Sequence, residues 1–567
     1  MNVLKRLLSF SRKHFSIFLV AIIVSVFASI LDVTFLYFIK QCADNYHLSP
    51  QFTPFVIIFI LLSMATLRSV FNYLGEIKLF DFGRKIVIDV RRLLYQKILS
   101  VKMSDIHKHQ LGDLTTKLLY QSELLGSGIL TISKSVLQEG LITISILGAL
   151  LYMNFYLTML VLVTFVVIFY LMQFVAKYMR SHSYAVQDKL SELTHFMDQT
   201  KSAIKTIFMH DMHKEMNLRF YDIIQRHNQH QLKINRASAL SSGIIHFLIT
   251  LPLACLIWVV MVFPEWTTAG DFAALIFGFS RIYAPMKRLS TLNGSIQNTI
   301  AAGDSMFEWF DMDDERRDGD PLEITTPPDI KVKNVSVMID GKQILSECDF
   351  NVPPKSIIAF AGETGSGKTT LLQLIAGLIE PSQGSFLIND QPIEDLYLPS
   401  WRKQIGYVDQ SLPLFNLSIA ENVAFFADID MSRVAWACHI AAIDKDINAM
   451  ADGYDQIIDY GGTNLSGGQR QRIVLARAIY HATHLLIIDE ATSAVDNETE
   501  QLIYERLAEL DHLTILLSSH REAGLRFAKQ IVVIDDGKVI ETGSFDSLTK
   551  KDSRFKQLIG LEHEIKA

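Results

Sequence analysis

Cysteine is scarce and scattered in this sequence. The four cysteines among 567 residues are Cys42, Cys255, Cys348 and Cys438, with no C-x-x-C and no close neighbours. That spacing argues against a disulfide framework or a thiolate zinc site, and the four read as small buried hydrophobes. Basic residues are missing from long stretches of the first half: no Lys or Arg occurs in 14–39, 41–67, 135–176 or 237–280. The sequence also lacks a heptad or Gly-X-Y period. With 49% hydrophobic residues, that excludes a disordered, collagenous or coiled-coil chain. What is present is unevenly spread. Residues 1–310 carry 29 Lys or Arg against 19 Asp or Glu, a net of +10, while residues 311–567 carry 24 against 41, a net of −17. The overall charge of −7 therefore describes neither half. A mean hydropathy of +0.23 is high for a soluble chain with 20% charged residues. Two parts in two environments are implied.

The uncharged stretches define a topology. The run FSIFLVAIIVSVFASI lies within 14–39, a stretch long enough for a hydrocarbon core that needs roughly 20 residues. Lys5, Arg6, Arg12 and Lys13 precede it. The apolar core is too long for a signal peptide and no small-residue cleavage site follows, so a retained helix is expected. Outside turns are expected at 44–51, 153–156 and 264–271, where no Lys or Arg stands. Basic residues cluster instead in 78–117 and 177–236, and positive charge marks the cytoplasmic side. This predicts six spans near 15–39, 53–77, 125–152, 155–179, 239–263 and 269–295, with both ends cytoplasmic. The segments 83–99 and, more weakly, 179–199 have apolar residues at helical spacing and read as cytoplasmic extensions of the spans. Separate amphipathic surface helices are the alternative. The Pro-rich acidic stretch 311–328 reads as a linker between a membrane domain (1–310) and a second domain (329–567).

The second domain carries motifs in a fixed order. Gly362, Glu363, Thr364, Gly365, Ser366, Gly367, Lys368, Thr369 and Thr370 form a phosphate loop, preceded by the apolar run 357–361 and followed by LLQLIAGLI. A strand before and a helix after are the context such a loop requires. Its glycines let backbone N–H groups approach phosphate oxygens at a helix N-terminus. Lys368 suits the outer phosphates, and the Thr369 hydroxyl suits Mg²⁺. A second apolar run, HLLIIDEAT, ends in Asp489 and Glu490. Asp489 suits the Mg²⁺ shell and Glu490 suits polarisation of an attacking water. Between the two lies LSGGQRQR, where Ser466, Gly467, Gly468 and Gln469 open a helix and form a second anion site. One phosphate loop with two phosphate-reading ends implies a composite site shared by two copies.

This order resembles the ATP-binding cassette (ABC) family, and LSGGQ matches its signature motif at every position. The resemblance assigns Gln410, in YVDQ, to the loop that senses Mg²⁺ and the membrane domain. It assigns 493–496 (SAVD) to an inter-subunit loop and His520, in SSHR, to the γ-phosphate switch. Six spans followed by one cassette resemble an ABC half-exporter over essentially the whole chain. The implied fold is a six-helix polytopic membrane domain fused to an α/β phosphate-loop domain. The implied function is ATP-driven transport by a dimer with two ATP molecules sandwiched at the cassette interface. Catalysis falls to Glu490, His520 and Lys368, and Mg²⁺ to Thr369, Gln410 and Asp489. Coupling helices are implied near 104–112 and 206–216. Two departures stand out. The family pattern V-x-F-x-Y under adenine is VSVMI here, so Val337 and Ile339 replace aromatics and stacking weakens. Residues 459–462, Asp-Tyr-Gly-Gly, replace the usual G-E-x-G before the signature.

Within the family, the membrane half is most similar to the bacterial lipid A flippases, through LDVTFLYFIKQCAD, LRSVFNYL, SVLQEG and PMKRLSTLN. The resemblance implies headgroup-phosphate ligands at Arg68 and Lys287, with Gln138 at a third, formerly basic, position. Cations at membrane depth are costly unless they face a cavity or a partner. Snorkelling toward the interface is the alternative. Asp32, inside the first span, pairs with a basic residue or lines the cavity. The expected cargo is an amphipathic lipid moved across a bacterial inner membrane by a homodimer with cytoplasmic cassettes. A drug or peptide exporter and a non-transporting member are the other readings. No nucleic acid partner is expected.

Overall fold

The structure, a computed structural model, describes residues 6, 10, 12–45, 54–106, 114–159, 162–163, 166–167, 170, 174, 185, 189, 192–193, 195–263, 267–490, 494–550 and 553–558. The side chains of Lys287 and Cys255 lie outside the described set, as does Ser493. The chain divides into two compact units, Met1–Leu99 with Gln110–Met312, and Ser100–His109 with Asp313–Ala567.

The first unit is helical. Among the described residues, three helices are long and apolar enough to cross a membrane, Phe15–Asp44, Phe55–Ile98 and Lys117–Met153. The first two correspond to α1 (Phe15–Asn45) and α2 (Pro54–Ile98). At 1.5 Å per residue the 45 residues of α2 extend about 67 Å, roughly twice a hydrocarbon core. The segment 83–99 therefore continues the span almost to its end and is not a separate surface helix. The third expected span is more irregular than its composition suggests. It contains α3 (Ser122–Ser133) and α4 (Gly140–Met153), each preceded by a π-helical turn, at Thr116–Gln121 and Lys134–Glu139. Each π turn shifts the helix face that follows, which apolar content alone does not reveal. Asn154 ends α4 with extended dihedrals. The fourth expected span, 155–179, lies largely outside the described residues. The fifth and sixth fall within α5 (His213–Val262) and α6 (Ala269–Phe310).

Two apolar clusters hold this unit. Leu36, Ile146, Leu150, Leu275 and Phe279 join α1, α4 and α6. Phe82, Ile86, Leu125, Met306 and Trp309 join α2, α3 and α6. Gly126 lets α2 and α3 approach closely, since a Cβ there would lie 2.0 Å from a Val87 methyl. Phe55, Phe59, Leu62 and Tyr73 on α2 remain exposed, as a lipid-facing surface requires.

The second unit is an α/β domain with two sheets. Strands β1 (Ile330–Ile339), β2 (Lys342–Val352), β3 (Ile357–Ala361), β4 (Gln383–Ile388), β5 (Gln391–Pro392), β6 (Ile405–Val408), β7 (Leu485–Asp489), β8 (Thr514–Ser518), β9 (Gln530–Asp535) and β10 (Lys538–Gly543) follow in order. The smaller sheet is antiparallel, ordered β2-β1-β4-β5, and the larger is ordered β10-β9-β3-β8-β7-β6. In the larger sheet β9, β3, β8, β7 and β6 run parallel. Their shared carboxyl edge is where an open α/β sheet collects its ligand groups. β7 and β8 are buried at every position, which explains why β7 reads as an apolar run up to its terminal Asp489. Cys348 and Cys438 are buried, and burial pushes the Cys438 thiol up to about 12.

Residues 313–328, which fall within the expected linker, pack onto this domain. Leu322 is buried, Glu315 pairs with Arg402 at 2.6 Å, and the Arg316 guanidinium donates to the Ile393 carbonyl at 2.7 Å. Short helices occupy Met103–Ile106 and Ile204–Met209, close to the expected coupling segments. The remainder of the first segment, 107–112, lies outside the described residues.

Candidate functional site

β3 leads into the phosphate loop, and α7 (Lys368–Ile375) leaves it, capped by Gly367 at φ +103°. Gly365 also has a positive φ, of +87°. Only glycine adopts such angles without strain, so the loop can turn its N–H groups inward. Lys368 Nζ donates to the carbonyls of Gly362 at 2.8 Å and Glu363 at 2.9 Å. The ammonium is thus held folded against its own loop. Burial lowers its pKa, while Glu490 and Asp489 oppose that shift. Ser366 Oγ is buried without a hydrogen-bond partner. The Glu363 carboxylate pairs with Arg554 at 3.0 Å.

Asp489 and Glu490 stand at the carboxyl end of β7, as the motif implied. Asp489 is 1% exposed, and burial raises its carboxyl pKa. Its Oδ1 accepts from Ser518 Oγ at 2.5 Å, it is also hydrogen-bonded by Thr369, and Oδ2 has no partner. A buried carboxylate oxygen left open beside a hydroxyl is the donor set of a hard-cation site. Glu490 takes the left-handed backbone conformation, φ +51°. Its N–H donates to Ser518 Oγ at 3.1 Å. Its carboxylate accepts from Gln410 Nε2 at 3.1 Å and lies 3.8 Å from His520 Nδ1. Glu490, Gln410 and His520, far apart in sequence, therefore meet at one carboxylate. Ser518 was not among the expected residues. Its signal is faint: a hydroxyl ending the buried run TILLS, cross-strand to Asp489.

The LSGGQ motif opens α8 (Gly467–His481) through a capping box. Ser466 Oγ accepts from the Gln469 N–H at 3.2 Å, and Gln469 Oε1 accepts from the Ser466 N–H at 2.9 Å. Gln469 Nε2 also donates to Asp446 at 3.1 Å, and Arg472 pairs with Asp446 at 2.9 Å. Gly467 and Gly468 occupy the first helical turn, whose N–H groups have no partner within the helix. In the following loop Asp496 caps α9 (Asn497–Ala508) by accepting from the Thr499 N–H at 2.9 Å. At 459–462, Asp459 uses its N–H on Asn464, and Gly461 and Gly462 have positive φ. Val337 is fully buried, whereas Ile339 borders a cavity of about 530 Å³ beside Met338 and Asp340.

The four residues singled out in the membrane unit have different surroundings. Asp32, 4% exposed, forms an ion pair with Arg68 at 2.6 Å and accepts from Arg281 Nε at 3.3 Å. Arg68 is therefore already paired. Arg68 and Gln138 line one cavity of about 580 Å³, and Gln138 donates to Asn72. Lys287 belongs to α6, but its side chain lies outside the described set. The same cavity is lined by Lys134, Glu139, Arg281 and Arg288, which sequence reasoning passed over. Three of them stand within the segments similar to the flippases or one residue outside them, with no motif of their own to mark them.

A polytopic helical unit joined to a phosphate-loop domain with a second anion motif defines an ATP-driven membrane transporter. The ABC transporter transmembrane region family matches residues 18–286, and the ABC transporter family matches residues 345–493. The chain belongs to the ABC transporter family, and its cassette hydrolyses ATP. It is 30% identical over 516 residues to the ATP-dependent lipid A-core flippase of Acinetobacter baylyi, covering 88% of each chain. It is 29% identical over 573 residues to that of Haemophilus ducreyi, covering 98% of this chain and 97% of the relative. Its fold matches a bacterial Atm1-family ABC exporter with ATP bound, with a TM-score of 0.84, 21% identity, and coverage of 96% of this chain and 98% of the other. The fold is thus that of an exporter, with one membrane domain and one cassette per chain. This half-transporter architecture points to a dimer.

Proposed function

We propose that the protein is a homodimeric lipid flippase of a bacterial inner membrane, moving lipid A or a related amphipathic lipid by alternating access. Residues 1–310 serve as the membrane domain, 311–328 as the connection and 329–567 as the cytoplasmic cassette. One observation carries the cargo reading: a charged cavity among membrane helices, at Arg68 and Gln138, in a chain similar along nearly its whole length to lipid A-core flippases.

At the nucleotide site, Thr369, Asp489 and Gln410 would hold Mg²⁺, which fits the open Asp489 Oδ2. When bound it neutralises charge on the outer phosphates. Lys368 exchanges its two loop carbonyls for phosphate oxygens. Glu490 aligns water on the γ-phosphorus and takes its proton as the bond to the leaving ADP oxygen breaks. Gln410 and His520, both beside that carboxylate, link its position to bound nucleotide. Ile339 offers the adenine an aliphatic face without stacking. Ser466, Gly467 and Gly468 of the second copy complete the site.

The test is ATPase activity of the full chain reconstituted in lipid. Lipid A should stimulate turnover several-fold, and Arg68→Ala with Lys287→Ala should remove most of that stimulation. Stimulation by dyes or peptides, with none by lipid A, would replace the flippase reading by a drug or peptide exporter.

A further inference from the structure

The membrane cavity holds acid as well as base. Arg68, Lys134, Arg281 and Arg288 line it together with Glu76 and Glu139. Asp32 lies against two of the lining arginines. These are four cations and three carboxylates at membrane depth, where each unpaired charge is costly. The pairing runs between helices. Asp32 on α1 holds Arg68 on α2 and Arg281 on α6. Glu139 on the second π turn holds Arg288 on α6, and Glu76 on α2 holds Lys134 on the same π turn. Two further acceptors are buried without a hydrogen-bond partner, Asp32 Oδ2 and Gln138 Oε1. Both residues are 4% exposed.

The one-to-one pairing of Glu139 with Arg288 restricts what can bind beside it. A headgroup carrying only phosphate gains Arg288 but strands the Glu139 carboxylate that Arg288 had neutralised. The Glu139 side chain is 5% exposed although Arg288 is half exposed, so drawing Arg288 away leaves a buried carboxylate uncompensated, which is the costly case. A headgroup carrying phosphate and ammonium together avoids that. The phosphate takes Arg288 while the ammonium takes Glu139, so one internal pair is exchanged for two pairs with the ligand. A primary ammonium has three N–H donors. The Glu139 carboxylate and the unpartnered Gln138 Oε1 belong to neighbouring residues that both line the cavity.

We propose that the cavity selects a zwitterionic headgroup, a phosphate bearing a primary amine, through exchange of the Glu139–Arg288 ion pair. The selection rests on the lipid-transport reading above and narrows it to a headgroup class.

The experiment compares two probes that differ in the amine alone: lipid A carrying phosphoethanolamine and lipid A carrying ethyl phosphate at the same position, each titrated into phosphatidylglycerol nanodiscs containing the full chain. The half-maximal concentration for ATPase stimulation should be about tenfold lower for the amine-bearing form. Glu139→Gln should bring the two forms to within about twofold of each other, mainly by weakening the amine-bearing one. The paired variant Glu139→Gln with Arg288→Gln leaves the net charge of the cavity unchanged, tests the same point if the single variant fails to fold, and should also lose the discrimination. Equal stimulation of the wild type by both forms overturns the headgroup preference and leaves lipid transport standing. Retained discrimination in the paired variant also overturns it. Stimulation by neither form removes the lipid reading and the preference together.

Discussion

Ser518 ties the two catalytic carboxylates to one strand end. Its hydroxyl donates to Asp489 and accepts the N–H of Glu490. Glu490 sits in the left-handed region at φ +51°, which costs a non-glycine residue on the order of 1–3 kcal/mol and persists only when its surroundings enforce it. The N–H bond to Ser518 is part of that enforcement. Ser518→Ala should lower kcat about tenfold, equivalent to about 1.4 kcal/mol, and raise the Mg²⁺ concentration needed for half-maximal turnover. Ser518→Thr should restore both. Glu490→Gln should nearly abolish turnover while nucleotide still binds, separating loss of the reacting group from loss of its positioning. Steady-state kinetics over a Mg²⁺ titration measure all three. Unchanged kcat and Mg²⁺ dependence in Ser518→Ala would sink the positioning role. The contrast with Lys368, Asp489 and Glu490 shows what a sequence exposes at this scale. Those residues announce themselves because their chemistry needs fixed neighbours along the chain. Ser518 acts across two strands, so nothing beside it in sequence marks it.

At the scale of elements, apolar runs and motif spacing carried β3 before the phosphate loop and β7 before Asp489, because four of five residues in β3 and all of β7 are buried. The π turns in the third span were not legible, since their cause lies in packing against other helices. The linker was misleading for a related reason. Its acidity and prolines resemble a free segment, yet Leu322 and the Glu315–Arg402 pair fasten it down. The end of α8 shows electrostatics at this level. His481 Nε2 contacts the Ala424 carbonyl at 3.1 Å. Burial lowers its pKa from the usual 6.5, with Arg433 and Arg477 adding to the shift and the Ala424 contact opposing it. The folded state therefore favours neutral His481. The unfolded state binds the proton more readily, so this contribution is present above pH 6.5 and is lost as pH falls below it. The thermal midpoint of the cassette should drop between pH 7.5 and 5.5, and His481→Gln should drop less. Differential scanning fluorimetry at the two pH values checks this, and an equal drop in the variant would remove His481 as the cause.

At the scale of the molecule, the overall charge divides as the sequence suggested, into a basic helical half and an acidic ATPase half. The signature motif of one chain is built as a helix N-terminus whose capping box satisfies Ser466 and Gln469 locally and leaves the first-turn N–H groups for a phosphate. If those groups serve the phosphate loop of a second copy, two lesions placed in different chains must combine in a definite way. A dimer of Lys368→Ala chains has two damaged sites, and so has a dimer of Ser466→Ala chains. A mixed dimer puts both lesions into one site and leaves the other intact. If each site were built within one chain, the mixed dimer would have no intact site. Differently tagged variants, co-expressed and purified through both tags, should therefore trap about one nucleotide per dimer and exceed the turnover of either parent dimer several-fold, because only one of the two composite sites is lost. Turnover no higher than the parents would place the signature with its own phosphate loop and remove the shared site.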